Sequence, residues 1–315
     1  MAITLTQLRA FLAVVRTGSV RAASDELVVT QPSVSAALSA LSREVGAELT
    51  ERAGRGITLT AAGTAFAPYA AHVVGLLEGG TRAAHEARRR GAGELRIVAV
   101  TTAAERILPP LLLGFAALAP EVRIAVEVGN RDLVFRRLAE HEADVAIAGR
   151  PPPDSELHSE PFLENAMAVI APAEDPLALR DQVRPDELAD RTWVLRERGS
   201  GTRLVNEAFL ARHELRPRIL TLGSNGAIVE GVRAGLGVSV VSHVTVALEL
   251  GAELLCTLPV ADLPERRWYA HRSAVGPVRP CVETWLAYVC SSEARDALLA
   301  ARRVPPAVAH NQADA

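Results

Sequence analysis

Apolar positions in the first 60 residues recur three times at helical spacing and then switch to alternation. Leu5, Leu8, Phe11, Leu12 and Val15 form one stripe, closed by Gly18. Val20, Ala23 and Leu27 form a second, entered through Ser19 as the cap, and the small pair Ala22–Ala23 lets another helix cross closely. Val28 and Val29 make an apolar turn. Thr30 then caps a third helix, Pro32 fits its first turn where an amide has no partner, and Val34, Leu38, Leu41 and Val45 share one face. Gln31, Pro32, Ser33, Ser35 and Ser39 are left facing outward near the front of that helix. The run LTERAGRGITLT alternates around Gly54 and Gly56, as a two-stranded wing does, with Arg52 and Arg55 placed to touch a phosphate backbone. The pattern predicts an all-α winged helix-turn-helix over 1–60, whose second crossed helix suits a major groove.

From Thr60 to Arg90 the chain is Ala-rich and helical in pattern, about 45 Å long if continuous. Phe66, Tyr69, Val73, Leu76 and Leu77 mark its apolar side, which must pack on its own domain or on a second copy. Pro68 and Gly79–Gly80 predict a bend or break. Arg88, Arg89 and Arg90 before Gly91 and Gly93 read as a solvated helix end followed by a hinge, so 61–92 is a linker and dimerisation segment. Beyond it the apolar runs ELRIVAV, VRIAVEV, DVAIAG, AMAVIA, TWVLR, RILTL, GVSVV and ELLCTL alternate with helical patterns. That order predicts an α/β region with parallel sheets over 93–304, followed by a disordered tail at 305–315.

The opening QLRAF at 7–11, Gly18–Ser19, Ala22–Ala23, Gln31–Pro32–Ser33, Val34–Ser35, and Gly54–Arg55–Gly56 followed by Leu59–Thr60 and Gly63 resemble the LysR-type transcriptional regulators. The likeness extends over nearly the whole chain. It departs in the middle of the third helix, where Ala36, Ala37, Ser39 and Ala40 replace the family's basic or amide residues, which implies fewer direct base contacts. The resemblance implies a two-lobed, periplasmic-binding-protein-like effector domain, with lobe I at 93–164 and 266–304, lobe II at 165–265, and crossings near Glu164–Asn165 and Pro264–Glu265. Within the family, GNR at 129–131, GRPP at 149–152, EPFLEN at 160–165 and RERGSGTR at 196–203 resemble the regulators of carbon-fixation and sulfur-assimilation operons. That branch implies an anionic metabolite as effector.

Ligands of open α/β sheets sit beyond the carboxyl ends of strands. Thr101 and Thr102 follow the first such strand. Gly199, Ser200, Gly201 and Thr202 follow another and open a helix, offering free amides to an anion. Either run alone reads as ordinary capping; facing each other across a cleft they make a candidate effector site. Asn130, Arg150 and the pair Ser224–Asn225 stand at further strand ends, each also explicable as a turn or cap, and Arg150 on its Pro-rich loop is either a surface residue or the cationic partner of an acidic ligand.

Charge changes this picture in one respect. The formal net charge is -3 and the amino-terminal segment mixes Arg with Asp and Glu, so one copy would hold duplex weakly. A homodimer assembling to a homotetramer, with reading heads on successive turns, is the expected remedy. The expected partners are therefore double-stranded promoter DNA, a small anionic metabolite and further copies of the chain, with RNA polymerase an allowed one and no membrane. No cofactor and no metal site are expected: the eight histidines and three cysteines show no ligand spacing, and no nucleophile elbow or P-loop is present. Cys281 and Cys290 read as core residues of a helix near the carboxyl end. Without an export signal or a spanning run, a cytoplasmic, non-enzymatic protein is expected. The competing reading, a solute-binding transport protein of two-lobed type, leaves residues 1–60 without a use.

Overall fold

The computed structural model of the chain describes residues 2–54, 56–88 and 93–301. Arg55, the expected hinge at Arg89–Gly91 and the tail at 305–315 lie outside the described residues. Two compact units result, one centred on residues 2–88 and the other on residues 93–136 and 144–301.

In the first unit, α1 (Leu5–Thr17), α2 (Val20–Leu27) and α3 (Gln31–Val45) are followed by the hairpin β1 (Thr50–Ala53) and β2 (Gly56–Leu59), and by α4 (Ala61–Arg88). The helix ends follow the local chemistry. Thr4 and Gln7 form a reciprocal capping box on α1, Ser19 and Thr30 accept first-turn amides of α2 and α3, and Gly18 and Gly46 close α1 and α3 in the left-handed region. Phe11, Val34, Leu41 and Leu49 fill the core, joined by Ala70 and Ala71 of α4. The wing is tied back by Ile57, whose amide donates to Gly18 O at 2.8 Å. Gly63 is a requirement of this packing, because a Cβ there would lie 1.9 Å from the Leu49 carbonyl oxygen.

The expected break in α4 is absent: the helix runs unbroken through Pro68 and Gly79–Gly80. Pro68 is exposed, so its ring meets solvent, and Ala-rich neighbours of high helix propensity hold each glycine at a cost of about 1 kcal/mol. The apolar positions of α4 divide between two faces. Ala70, Ala71 and Val74 are buried, whereas Tyr69, Val73 and Leu77, four residues apart, are exposed.

Val28, between α2 and α3, has φ 57 and ψ 45 and is 90% exposed. A β-branched side chain in the left-handed region is strained and gains no burial in return. Val28→Asn is accordingly expected to raise stability by about 1 kcal/mol. Urea unfolding of the two proteins side by side reads this, and an unchanged or lower midpoint refutes it.

The second unit holds two lobes. Lobe I is built from β3 (Glu94–Val100), α5 (Thr101–Arg106), α6 (Leu108–Leu118), β4 (Arg123–Gly129), α7 (Arg131–Ala139), β5 (Val145–Ala148) and β6 (Leu157–Glu164). Lobe II follows with β7 (Met167–Pro172), β8 (Trp193–Arg196), α8 (Gly201–Arg212), β9 (Ile219–Leu222), α9 (Asn225–Arg233), β10 (Ser239–Ser242), α10 (Ala247–Gly251) and β11 (Leu255–Leu258). The chain then re-enters lobe I with β12 (Arg267–Ser273), α11 (Pro280–Val289) and α12 (Ser292–Ala301). Lobe I has a five-stranded sheet in the order β4-β3-β5-β12-β6; lobe II has β10-β7-β11 and the pair β8-β9. Phe115 and Trp285 anchor the core of lobe I, Trp193 and Phe209 that of lobe II.

The expectation of parallel sheets needs correction. Among the described strands β3–β4, β3–β5 and β8–β9 run parallel, and Trp193 of β8 is bridged in parallel to Val238 before β10; β12 is antiparallel to β5 and β6, and β7 to both its neighbours. The reason is topological: β12 enters its sheet on the way back from the other lobe and meets β5 head to tail. Cys290 also differs from expectation, being exposed just past the end of α11 rather than in the core.

Candidate functional site

Two surfaces carry the candidate residues. In the first unit, Gln31, Pro32, Ser33 and Ser35 are all exposed along the leading half of α3, while Val34, Leu38 and Leu41 on its other face are buried. The Ser33 hydroxyl lies 2.8 Å from that of Thr30, and the Ser33 amide donates to Thr30 Oγ1. Its hydroxyl therefore partly closes the helix front as well as facing out. Arg52 is exposed on β1. These side chains lie on rigid elements, with polar groups outward where a groove would be met.

In the second unit, a narrow cleft opens between the lobes. Thr101, Thr102, Asn130 and Arg131 line it from lobe I; Arg196, Ser200, Gly201, Thr202 and Asn225 line it from lobe II; Arg266 and Trp268 come from the returning chain. Ser200 caps α8, its Oγ accepting from the Thr202 amide at 3.2 Å, and the remaining first-turn amides have no intrahelical acceptor. The positive end of a twelve-residue helix thus faces the cleft. Gly199 sits at φ 84, with Asn130 and Asp132 so close that a Cβ would meet the Asp132 carboxylate at 2.8 Å.

Three guanidinium groups behave differently here. Arg196 is buried and paired: Nε and Nη2 bind Glu197 at 2.7 and 3.0 Å, and Nη1 donates to Asn225 Oδ1. Arg131 lies over the ring of Phe135 and only 3.8 Å from its neighbour Asp132. Among the described residues, Arg266 has no carboxylate within ion-pair distance; it donates to Gly201 O at 3.4 Å, and its tip lies against Gly149. Burial, together with the positive charges of Arg131 and Arg150, pushes the Arg266 pKa below its ordinary value. His271, behind Gly149, is pushed down to about 4 by burial and by Arg131. It is therefore neutral at neutral pH. Its Nε2 proton goes to the Gly149 carbonyl, leaving Nδ1 to accept from the Ser159 hydroxyl.

A family model described as the LysR substrate binding domain matches residues 88–292, and one described as the bacterial regulatory helix-turn-helix protein of the lysR family matches residues 5–64. The chain belongs to the LysR family. It is a transcriptional regulator with a helix-turn-helix head and an effector-binding domain. A RuBisCO operon transcriptional regulator of Acidithiobacillus ferrooxidans is 34% identical over 294 residues, covering 92% of this chain and 94% of that one. The CcmR regulatory domain of Synechocystis PCC6803, solved in complex with 2-PG, is 34% identical with a TM-score of 0.60, covering 62% of this chain and 95% of that one. Full-length CbnR in complex with its target DNA shares the fold at 20% identity and a TM-score of 0.59, over 94% of this chain and 99% of that one. No helix among the described residues of this LysR regulator is long and apolar enough to cross a membrane.

Of the residues singled out from the sequence, Thr101, Thr102, Asn130, Ser200, Gly201, Thr202 and Asn225 meet in this one cleft. Three do not line it. Gly199 lies just behind, its carbonyl accepting from the Asp132 amide; Ser224 is exposed and caps α9 through the Ala227 amide. Arg150 is exposed beside a second, wider groove on the far side of Arg266. Missed from the sequence were Arg131, Arg196, Asn165, Ser242, Arg266 and Trp268. Arg131 and Arg196 stood inside runs already noted, GNR and RERGSGTR. Arg266 carried no local signal.

Proposed function

We propose that this regulator grips promoter DNA with Gln31, Pro32, Ser33, Ser35, Arg52 and Arg55, and senses a small, multiply charged anion in the interlobe cleft. Thr101, Thr102, Asn130 and the Gly199–Thr202 turn are its polar contacts, with Ser224–Asn225 behind them and Arg150 at the rim. The observation that carries the reading is Arg266: a desolvated guanidinium without a carboxylate, beside two like charges and the amino end of α8. Such an arrangement is unfavourable until an anion enters. The Synechocystis domain with 2-PG bound supports a phosphorylated carboxylate as the first probe.

In this reading residues 1–60 read DNA, 61–92 link and dimerise, and 93–304 bind effector, with lobe I at 93–164 and 266–304 and lobe II at 165–265. The exposed Tyr69–Val73–Leu77 stripe supports pairing of α4 with the same helix of a second copy, two dimers then forming a tetramer whose geometry responds to lobe closure. The reading is of a cytoplasmic binding protein without catalytic chemistry, in line with relatives named as regulators.

The test has two arms on the full chain. Arg52→Ala is expected to weaken binding to the upstream promoter fragment about tenfold and to lower the slope of log K against log salt by about 1 per head, read by electrophoretic shift across salt. Unchanged affinity and slope remove Arg52 from the contact set. Addition of 2-phosphoglycolate at millimolar concentration is expected to raise the thermal midpoint of the protein. No shift with it, inorganic sulfate or phosphate counts against an anion cleft.

A further inference from the structure

A chain of side-chain hydrogen bonds runs from lobe I into lobe II. It begins at Thr102, buried at the start of α5, whose hydroxyl accepts from Asn225 Nδ2 at 2.7 Å. Asn225 Oδ1 accepts from Arg196, and Arg196 is clasped by both oxygens of Glu197. The Asn130 side chain of lobe I has its Oδ1 turned to the Leu133 amide at 3.0 Å. The Thr102–Asn225 bond is a crossing between the lobes made by side chains of the protein itself. Arg196 lines the cleft as a cation, yet in this state its charge is answered from within. Its counter-ion differs from it in one respect: the Arg196 side chain is 5% exposed and that of Glu197 is 32%. One partner is fixed and the other has water to move into.

We propose that Glu197 is a built-in anion that competes with the effector for Arg196, so that an incoming multiply charged anion takes its place there. The inference rests on the anion-cleft reading given above. It assigns the two cations different tasks. Arg266, with no carboxylate partner, receives the first negative group, whereas Arg196 is reached only by a ligand that can displace a bidentate carboxylate at 2.7 and 3.0 Å. A weakly charged anion stops at Arg266 and leaves the Arg196–Glu197 pair in place. A phosphorylated one displaces Glu197 from Arg196 and bridges the two arginines. Glu197 thus sets the concentration at which the cleft responds, by keeping part of its recognition surface occupied.

The experiment is a calorimetric titration of the full chain with inorganic sulfate and with 2-phosphoglycolate, for wild type, Glu197→Gln and Glu197→Asp. Gln keeps an acceptor for the guanidinium but no longer neutralises Arg196; Asp keeps the charge but is one methylene too short to hold the same bidentate clasp. Both variants are expected to bind sulfate about tenfold more tightly than wild type, Gln the more so, because the competing occupant is weakened. Equal or weaker binding by both overturns the role of Glu197 while wild-type binding leaves the cleft itself standing. Uptake of neither anion by any of the three proteins removes the cleft reading and this inference with it. Should Gln fail to fold, the Asp variant alone decides by the same criterion.

Discussion

Arg266→Gln is expected to lower the affinity of the cleft for a phosphorylated anion about 100-fold while leaving the thermal midpoint of the empty protein unchanged or higher. Hydrogen bonds between charged groups contribute roughly 1.5–3 kcal/mol each, and a guanidinium with free donors can make two of them to one phosphate. In the empty protein the same group gains little. It has a long contact to a carbonyl, is desolvated, and faces Arg131 and Arg150. Removing its charge therefore relieves repulsion in the absence of ligand and removes attraction in its presence. Arg196→Gln should behave in the opposite way, lowering the midpoint without ligand, because Glu197 and Asn225 both lose their partner inside the fold. Calorimetric titration with 2-phosphoglycolate, together with thermal unfolding of both variants, separates the two roles. An Arg266→Gln protein that binds as wild type does, or melts several degrees lower, contradicts the assignment of Arg266 to the ligand.

The contrast between these two arginines shows how far a linear reading reaches. Helix ends are local events, decided by one side chain and the next three amides, so Thr30, Ser19 and Gly18 could be assigned from spacing alone. The same holds for strands buried on both faces, whose continuous apolar runs at β3, β5, β7 and β8 stand out from their surroundings. β6 and β12 escaped because their sequences, LHSEPFLE and RWYAHRS, carry polar groups with partners far away: His271 pairs with Ser159 and with the Gly149 carbonyl. Nothing nearby in the chain announces those partners. Arg266 belongs to the same class. It lies where the chain returns to lobe I, its backbone carbonyl holding the Asn165 amide of the outgoing crossing at 2.9 Å, and only that tertiary meeting brings its guanidinium beside Gly201. Thr102 and Asn225 were visible as strand-end residues, but their direct bond across the cleft was not, since their separation in sequence is 123 residues.

The largest effect on stability is expected from Asp144→Asn, a loss of about 3–5 kcal/mol, the usual consequence of removing one partner from a buried ionic cluster. Asp144 stands just before β5, and its carboxylate receives the Arg96 amide at 2.8 Å and the Arg96 guanidinium at 2.7 and 3.3 Å, with Arg279 closing the other side. Arg279 also reaches the Glu94 carbonyl, so the cluster clasps the first strand of lobe I, the approach to β5 and the approach to α11. Burial by itself would raise the Asp144 pKa, but the hydrogen bonds and charges of Arg96 and Arg279 outweigh it and hold the carboxyl below its ordinary value. A carboxylate depressed in the folded state contributes stability that is full above its unfolded pKa and disappears as pH falls through the folded one. His271 works on a separate part of the scale. Its folded value of about 4 lies below the ordinary 6.5, so the unfolded chain takes up its proton first and stability declines as pH drops between those two values. That decline should be common to wild type and Asp144→Asn. The gap between the two proteins should instead stay constant from neutral pH down to the ordinary carboxylate range and narrow only below it, as Asp144 itself is protonated. Denaturant unfolding of both proteins from pH 7 to the acid limit measures this directly, and a gap that already closes near pH 6 would assign the stabilisation to a histidine instead.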